Sequence, residues 1–421
     1  MERIIFHVDV NSAFLSWEAA YRLHHLGASV DLRQIPSAVA GDAESRHGII
    51  LAKSHPAKKY GVCTGETIGQ ARVKCPQLYM VPPNYSLYQR CSRAFQEILK
   101  EYTPDVEPYS IDECYMDMTE TLHLFGKPLE TADEIRGRIE RELGFTVNIG
   151  VASNKLLAKM ASEFRKPNYT HSLFPWEIQE KMWPLPISQL FFVGRAARRK
   201  LEMLGISTIG ELAAADPAFL KPILHKHGEQ IWNFANGRDS TEVRAEAPVN
   251  KGFGNSTTVA FDVKDRGTAR KVLLALAETV GSRLRSHKVK AEVIAVGIKS
   301  YDFHYSSHQM VMPNPTNITW ELYQYACQLF DQLWDKKTPL RHLGIHTQRI
   351  RDGAEPRQMN LFDNGNYEKL EKLDKTIDVI RRKYGIDAVK RAVFLEGAID
   401  HLSGGISREK RTVDYSRQKI E

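Results

Sequence analysis

The sequence predicts an α+β protein of several domains. Its 421 residues, at roughly 150 per domain, allow two to four domains with real cores. The first half alternates strand-like and helix-like segments, the mark of a mixed sheet-and-helix core. Residues 253–349 run in the order β-α-β-β-α-β, a two-layer domain in itself.

Ile4 to Val10 is a short, apolar, β-branched run that suits a buried strand, and Ser16 to Leu26 reads as the helix after it. His47 to Ala52 and Leu78 to Val81 look like further strands, and Tyr88 to Tyr102 like an amphipathic helix. Tyr109 to Met118 is strand-like around an acidic pair. Thr146 to Ala152 is a β-branched run ending in Ser153, a good N-cap for a helix over Asn154 to Phe164. Lys166-Pro167-Asn168 then stops that helix. From Pro184 the texture changes to short helices, Pro186 to Phe192, Arg195 to Leu204 and Ile209 to Ala215. Asp239 to Lys251 lacks periodicity and reads as a linker. Beyond it come a strand (253–262), a helix (268–286), two strands (291–299 and 303–312), a helix (318–335) and a strand (342–349). From Asp352 a polar connector leads to a helix with Leu370, Leu373, Ile377 and Ile380 on one stripe.

Hydrophobic residues make up 42% and charged residues 26%, an ordinary globular composition that excludes collagen-like, mucin-like and wholly disordered chains. The net charge of +7 and pI near 9.0 form a mild basic excess, compatible with a polyanionic partner. No apolar run approaches the ~20 residues of a membrane span. The opening MERIIFHVDV, with Glu2 and a short apolar run, is not that of a signal peptide. The five cysteines, 63, 75, 91, 114 and 327, contain no C-x-x-C pair, so neither a disulfide framework nor a zinc ribbon is expected. These features predict a protein of the cytoplasm.

Asp112 and Glu113 stand side by side in YSIDECYMDM. Strand neighbours point to opposite faces, so both reach one site only if a tight turn intervenes; an isolated pair of this kind is ordinarily a solvated turn. Asp9 changes the weighing, because it closes an apolar strand, where a lone carboxylate is costly unless paired or bound to metal. Carboxylates from separate strand ends, with no His or Cys cluster nearby, make an oxygen site suited to Mg²⁺ rather than zinc. Mg²⁺ held this way suits phosphoryl or nucleotidyl transfer. Lys155, Lys159 and Lys166 fall on one face of the helix after Ser153; they would neutralise phosphates or simply form a solvated face. Lys53, Lys58 and Lys59 form a second basic group. In FFVGRAARRKLEMLGISTIGEL, Gly194 would let a backbone phosphate approach the next helix N-terminus, with Arg195, Arg198, Arg199 and Lys200 adding charge. This pattern resembles a helix-hairpin-helix. Finally, Gln358-Met359-Asn360-Leu361-Phe362 places an apolar Leu-Phe pair in a polar connector, fit for a hydrophobic groove on a partner or on the chain itself.

Taken together, DVNSAF, AKSHPAKKYGV, YSIDE, IGVASNKLLAKMASEFRKPN and the hairpin, in that order, resemble a Y-family translesion DNA polymerase of the bacterial DNA polymerase IV/V type. The resemblance covers residues 3 to 350. It implies that Asp9 and Asp112 ligate two Mg²⁺ with the Val10 carbonyl, and that Glu113 completes the carboxylate set. It implies that Phe14 is the steric gate against a ribose 2′-OH, and that Lys166 contacts the triphosphate. His55 and Lys58 stand where the family often has Tyr and Arg on the β- and γ-phosphates, which keeps donors but not the bidentate fork. Asn11 and Ala13 depart from the common acid and aromatic. Gly194, Arg195 and Arg198 would hold DNA, and Gln358, Leu361 and Phe362 would bind a sliding clamp. The implied hand has a palm at 1–19 and 76–168, fingers at 20–75, a thumb with the helix-hairpin-helix at 169–240, a little finger at 241–351 and a tail at 352–421. Its partners would be primer-template DNA, deoxynucleoside triphosphates and the clamp, with no membrane, and it would act as a monomer. Two rivals use the same residues: a nucleotidyl cyclase on the same carboxylates, and a catalytically silent, clamp-recruited DNA scaffold.

Overall fold

The computed structural model describes residues 3–41, 48–246, 249–358, 366–395 and 399–401. Among the described residues two compact units emerge, one holding residues 3–40 and 50–246, the other residues 41 and 48–49 and those described from 249 onward. In the first, strand β1 (Ile5–Val10) buries all its residues, as its apolar run predicts. Helix α1 (Ala13–His25) follows after a tight turn in which Ser12 takes φ 48°. A small layer comes next: β2 (Ser37–Ala40), β3 (Ile50–Lys53), α2 (His55–Lys59), α3 (Ile68–Lys74) and β4 (Tyr79–Val81), its sheet ordered β3-β2-β4. The amphipathic α4 (Tyr85–Lys100) buries Leu87, Tyr88, Phe95, Ile98 and Leu99.

Then come β5 (Val106–Pro108), β6 (Glu113–Asp117), α5 (Pro128–Leu143), β7 (Val147–Ala152), α6 (Lys155–Glu163) and β8 (Thr170–Leu173). They complete a five-stranded sheet ordered β5-β6-β1-β7-β8, with β1 antiparallel to both neighbours. Side chains alternate along β1. Phe6, Val8 and Val10 join one core with α4 and α5, while Ile5 joins a second core built on α6. His7 shares that second face, its Nδ1 lying 2.8 Å from the Ser162 hydroxyl of α6, and Asp9 is two residues further along it.

Three sequence expectations change here. The single strand over Tyr109 to Met118 is broken: the N–H groups of Tyr109 and Ser110 both bond the Glu113 carbonyl, making a turn, and only Glu113–Asp117 is strand. The α6 N-cap is Asn154 rather than Ser153; its side chain accepts from Leu157 N–H at 2.9 Å. Of the helix expected over Pro186 to Phe192, a single 3₁₀ turn, Ile187–Gln189, is present, because Leu190 turns extended and Ile187 N–H bonds across to the Ser207 carbonyl. Helices α7 (Arg195–Met203) and α8 (Ile209–Ala214) fall where expected, and α9 (Pro217–Ala235), broken in its pattern by Pro222 and a kink at His225, follows them.

The presumed linker is partly latched. Asp239 accepts the Leu156 N–H at the start of α6, and Glu107 accepts the Arg244 N–H at 2.8 Å. Residues 239–244 are therefore held on the first unit.

The second unit is the predicted β-α-β-β-α-β module: β9 (Gly254–Val263), α10 (Arg266–Ser286), β10 (Val289–Ser300), β11 (Tyr305–Thr316), α11 (Thr319–Leu333) and β12 (Leu340–Asp352). Its antiparallel sheet is ordered β11-β10-β12-β9. Both helices pack on one face, where Leu273, Leu276, Phe330, Ile294 and Leu343 form the core. The C-terminal α12 (Tyr367–Tyr384) docks here too, through ion pairs to α10, with Leu370, Ile377 and Ile380 of its apolar stripe half-buried. Arg285 of α10 binds Asp374 and Asp378, and Glu278 binds Arg381 and Arg391. Leu373 stays exposed, since the buried position on α12 is Asp374. All five thiols are free, and no helix among the described residues is long and apolar enough to cross a membrane.

Candidate active site

The antiparallel register of β1 and β6 sets Asp9 directly opposite Glu113. On the other side Asp9 faces Asn148 of β7. One carboxylate oxygen each from Asp9, Glu113 and Glu163, the last residue of α6, lie within 4.8 Å of one another. Glu163 was not foreseen: it is an exposed Glu at a helix end, with nothing in its local sequence to single it out. Asp112 falls outside this trio. It sits in the turn before β6, its carbonyl accepting the Val10 N–H at 3.0 Å and its carboxylate taking the Ser110 hydroxyl at 2.6 Å. The intervening turn that two neighbouring acids require is thus present, and it leaves Asp112 beside Val10 at the end of β1.

Burial pushes the Asp9 carboxyl up to about 7, even though the Lys166 ammonium at 2.6 Å pulls the other way. A buried carboxylate with two further acids beside it is short of positive charge. The donors are all oxygen, so the group fits a hard divalent cation. Burial opposes the charge on Lys166, but Asp9 and Glu163 (2.8 Å) outweigh it and raise its pKa.

Lys166 reaches Asp9 because Asn148 staples its loop. The buried Asn148 amide donates to the carbonyls of Ser162 and Arg165 and accepts from Tyr169 N–H. The lysines of α6 are not a solvated face. Lys155 holds both oxygens of Glu107 at 2.7 Å, and Lys159 holds Glu113 at 2.7 Å. His7, fully buried, is kept neutral first by its burial and then by the three nearby lysines.

Phe14 lies on the first turn of α1, half-buried, stacked on Tyr88 at 4.6 Å and edge-on to Tyr85 at 6.0 Å. With Trp17 also at 6.0 Å, three aromatic neighbours give a stiff wall. Asn11 is buried and donates to Thr146, and Ala13 is buried in the core. His55 and Lys58 are exposed on α2, whose N-cap Ser54 accepts from Ala57 N–H. In the hairpin, Gly194 caps α7 and open space lies where its Cβ would be. Arg195 and Arg198 are exposed on α7, Arg198 paired with Glu202. Gln358 donates its N–H to Asn314 Oδ1 at 3.1 Å, while Leu361 and Phe362 lie outside the described residues.

Three family models match this chain: the impB/mucB/samB family over residues 8–163, its C-terminal domain over 250–361, and the IMS family HHH motif over 175–206. DNA polymerase IV of Clostridium acetobutylicum is 44% identical over 396 residues, covering 94% of this chain and 99% of its own. That of Acetivibrio thermocellus is 38% identical over 400 residues, covering 94% and 98%. DNA polymerase IV 1 of Bacillus subtilis is 38% identical over 396 residues, covering 94% of each. A solved Y-family DNA polymerase chimera shares the fold, with a TM-score of 0.70 at 24% identity over 83% of this chain and 99% of that one.

Proposed function

The chain belongs to the impB/mucB/samB family of Y-family DNA polymerases, and we infer on that premise that it is a DNA-directed DNA polymerase performing low-fidelity translesion synthesis. The observation that carries this reading is the buried Asp9 at the end of β1, set against Glu113 in an all-oxygen cluster. Three acids answered by two lysines, with oxygen donors alone, fit a hard divalent cation and the phosphates it would bring. The hand has a palm (1–19 and 76–168), fingers (20–75), a thumb (169–240), a little finger (241–351) and a tail (352–421).

Asp9, Asp112 and Glu113, with the Val10 carbonyl, would hold two Mg²⁺. Bound Mg²⁺ supplies a more acidic primer hydroxyl and a neutralised pyrophosphate leaving group. The rest is positioning. The primer 3′ oxygen bonds to the α-phosphorus of a deoxynucleoside triphosphate as the bond to the β-phosphate oxygen breaks, and the hydroxyl proton is lost. Lys166, held at the site by the Asn148 staple, would turn its charge to the triphosphate, assisted by His55 and Lys58 on α2. The Phe14 ring, braced by Tyr88 and Tyr85, would exclude a 2′-OH. Gly194, Arg195 and Arg198 would grip duplex phosphates, as would exposed Arg349 and Arg351 of β12 in the little finger, which pair with Glu292. Gln358, Leu361 and Phe362 would engage the sliding clamp of a bacterial cytoplasm, and the polymerase would work as a monomer.

Primer extension with Mg²⁺ and four deoxynucleotides, comparing the wild type with Glu113→Ala, tests the reading. Short, distributive extension abolished by the substitution is expected. A folded protein that binds primer-template yet never extends it would be a scaffold, and one that consumes free nucleotide without a primer would be a cyclase.

A further inference from the structure

Helix α6 is brought unusually close to the catalytic sheet. Gly150 on β7 makes this possible, because a Cβ there would lie 1.9 Å from the Ala158 carbonyl and 2.5 Å from Ser162 N. The rotation of the helix is set at its first turn by two acceptors, Asn154 at Leu157 N–H and Asp239 at Leu156 N–H. Position and rotation together lower the Lys159 side chain, 10% exposed, into the sheet end.

Burying an ammonium is costly unless it is paired. Lys159 has three partners. Its Nζ donates to Glu113 Oε1 at 2.7 Å and stands 5.3 Å from the centre of the Phe191 ring and 5.8 Å from that of Tyr109. The nearby lysines are committed elsewhere, Lys155 of the helix to Glu107 and Lys166 of the loop after it to Asp9 and Glu163. Glu113 opens β6 directly after a turn, where a carboxylate has rotational freedom unless something holds it. Phe191 lies three residues before Gly194, at the approach to the hairpin that would grip DNA.

We propose that Lys159 is a positioning residue of the active site. It acts through Glu113, holding one carboxylate oxygen so that the other is presented toward Asp9, and it ties this carboxylate to Phe191 at the mouth of the hairpin. The proposal rests on the polymerase reading above and adds to it a residue that touches neither substrate nor reacting atoms.

The test uses the full chain with Lys159→Met, which keeps the length and removes the charge, and Lys159→Arg, which keeps the charge. Single-turnover primer extension should show Lys159→Met slowed about 100-fold with deoxynucleotide affinity changed less than about two-fold. Lys159→Arg should recover to within about ten-fold of wild type. Mn²⁺ binding to the protein without DNA, read by electron paramagnetic resonance, should tighten by about three- to ten-fold in Lys159→Met, because a competing cation is gone. Slower turnover with tighter metal is a signature that a purely structural role does not produce. Wild-type turnover in Lys159→Met overturns the proposal alone. So does a joint fall of rate, nucleotide affinity, metal binding and melting temperature, which reduces Lys159 to a fold residue. A wild type that fails to extend primers overturns the polymerase reading, and this proposal with it.

Discussion

Strands β1 and β7 bury every residue they have, whereas β12, inside the second sheet, buries Leu343, Gly344 and Ile345 but exposes His346, Gln348 and Arg349. Both sheets are largely antiparallel and covered by helices, yet a charge means different things in each. In β1 a carboxylate loses its water on both sides, so Asp9 persists only because other groups answer it. In β12 an exposed charged side chain keeps much of its hydration, and Arg349 and Arg351, both paired with Glu292 at the surface, say little individually. On the proposed reading, chemistry would be concentrated where the strand is sealed and adhesion to DNA spread where it is open.

The largest expected effect tests the sealed side. Asp9→Asn keeps volume and removes charge, and should cut single-turnover extension by at least roughly 1,000-fold, with primer-template affinity, read by anisotropy, nearly unchanged. Retained extension would mean that the buried charge carries no chemistry. A smaller effect probes the exception in the second unit, where Arg285 is buried against Asp374 and Asp378 under α12. Arg285→Met leaves those carboxylates without their main counter-charge and should destabilise the docking of α12 by about 3 kcal/mol, seen as early proteolysis within 367–384 while primer extension persists. Unchanged protection would show that Glu278 with Arg381 and Arg391 suffices. The smallest effect belongs to the open face. Arg349→Ala with Arg351→Ala should weaken DNA binding by a few-fold and lower the salt slope by about two, leaving the rate of chemistry intact. A change in that rate would erase the distinction between the two sheets.

Much of this was legible in the residues. The β-α-β-β-α-β order of the second unit follows from local hydrophobic period, and its six elements lie within a few residues of expectation. Asp9 and the Asp112-Glu113 pair stood out because acids in apolar strand sequence are rare and costly. Glu163 and Asn148 did not, as a Glu at a helix end and an Asn in a strand look ordinary until the fold places them. Lys155 and Lys159 read equally well as solvated, since spacing on a helix gives a shared face but not what that face meets. The α12 stripe left open, for the same reason, what the helix packs against. Leu370, Leu373, Ile377 and Ile380 share a side of the helix, and Arg285 and Glu278 on α10 drew its acidic and basic residues inward as well.

Local sequence determined the elements, the buried character of β1 and the presence of a costly carboxylate at its end. These depend on the period and chemistry of adjacent residues, which any short window contains. Only the tertiary structure decided which acids meet, which lysine answers which acid, and that Asp112 stands aside with Ser110 while Glu113 faces Asp9. Those pairings depend on strand register and on the rotation of α6 against β7. Register is set by strands far apart in the chain, such as Asp9 against Glu113, and the rotation of α6 by the close approach of Gly150 to Ala158 and the distant Asp239 at Leu156. Hydrophobic patterning names the face an element buries; it does not fix the last few ångströms that bring one charge to another.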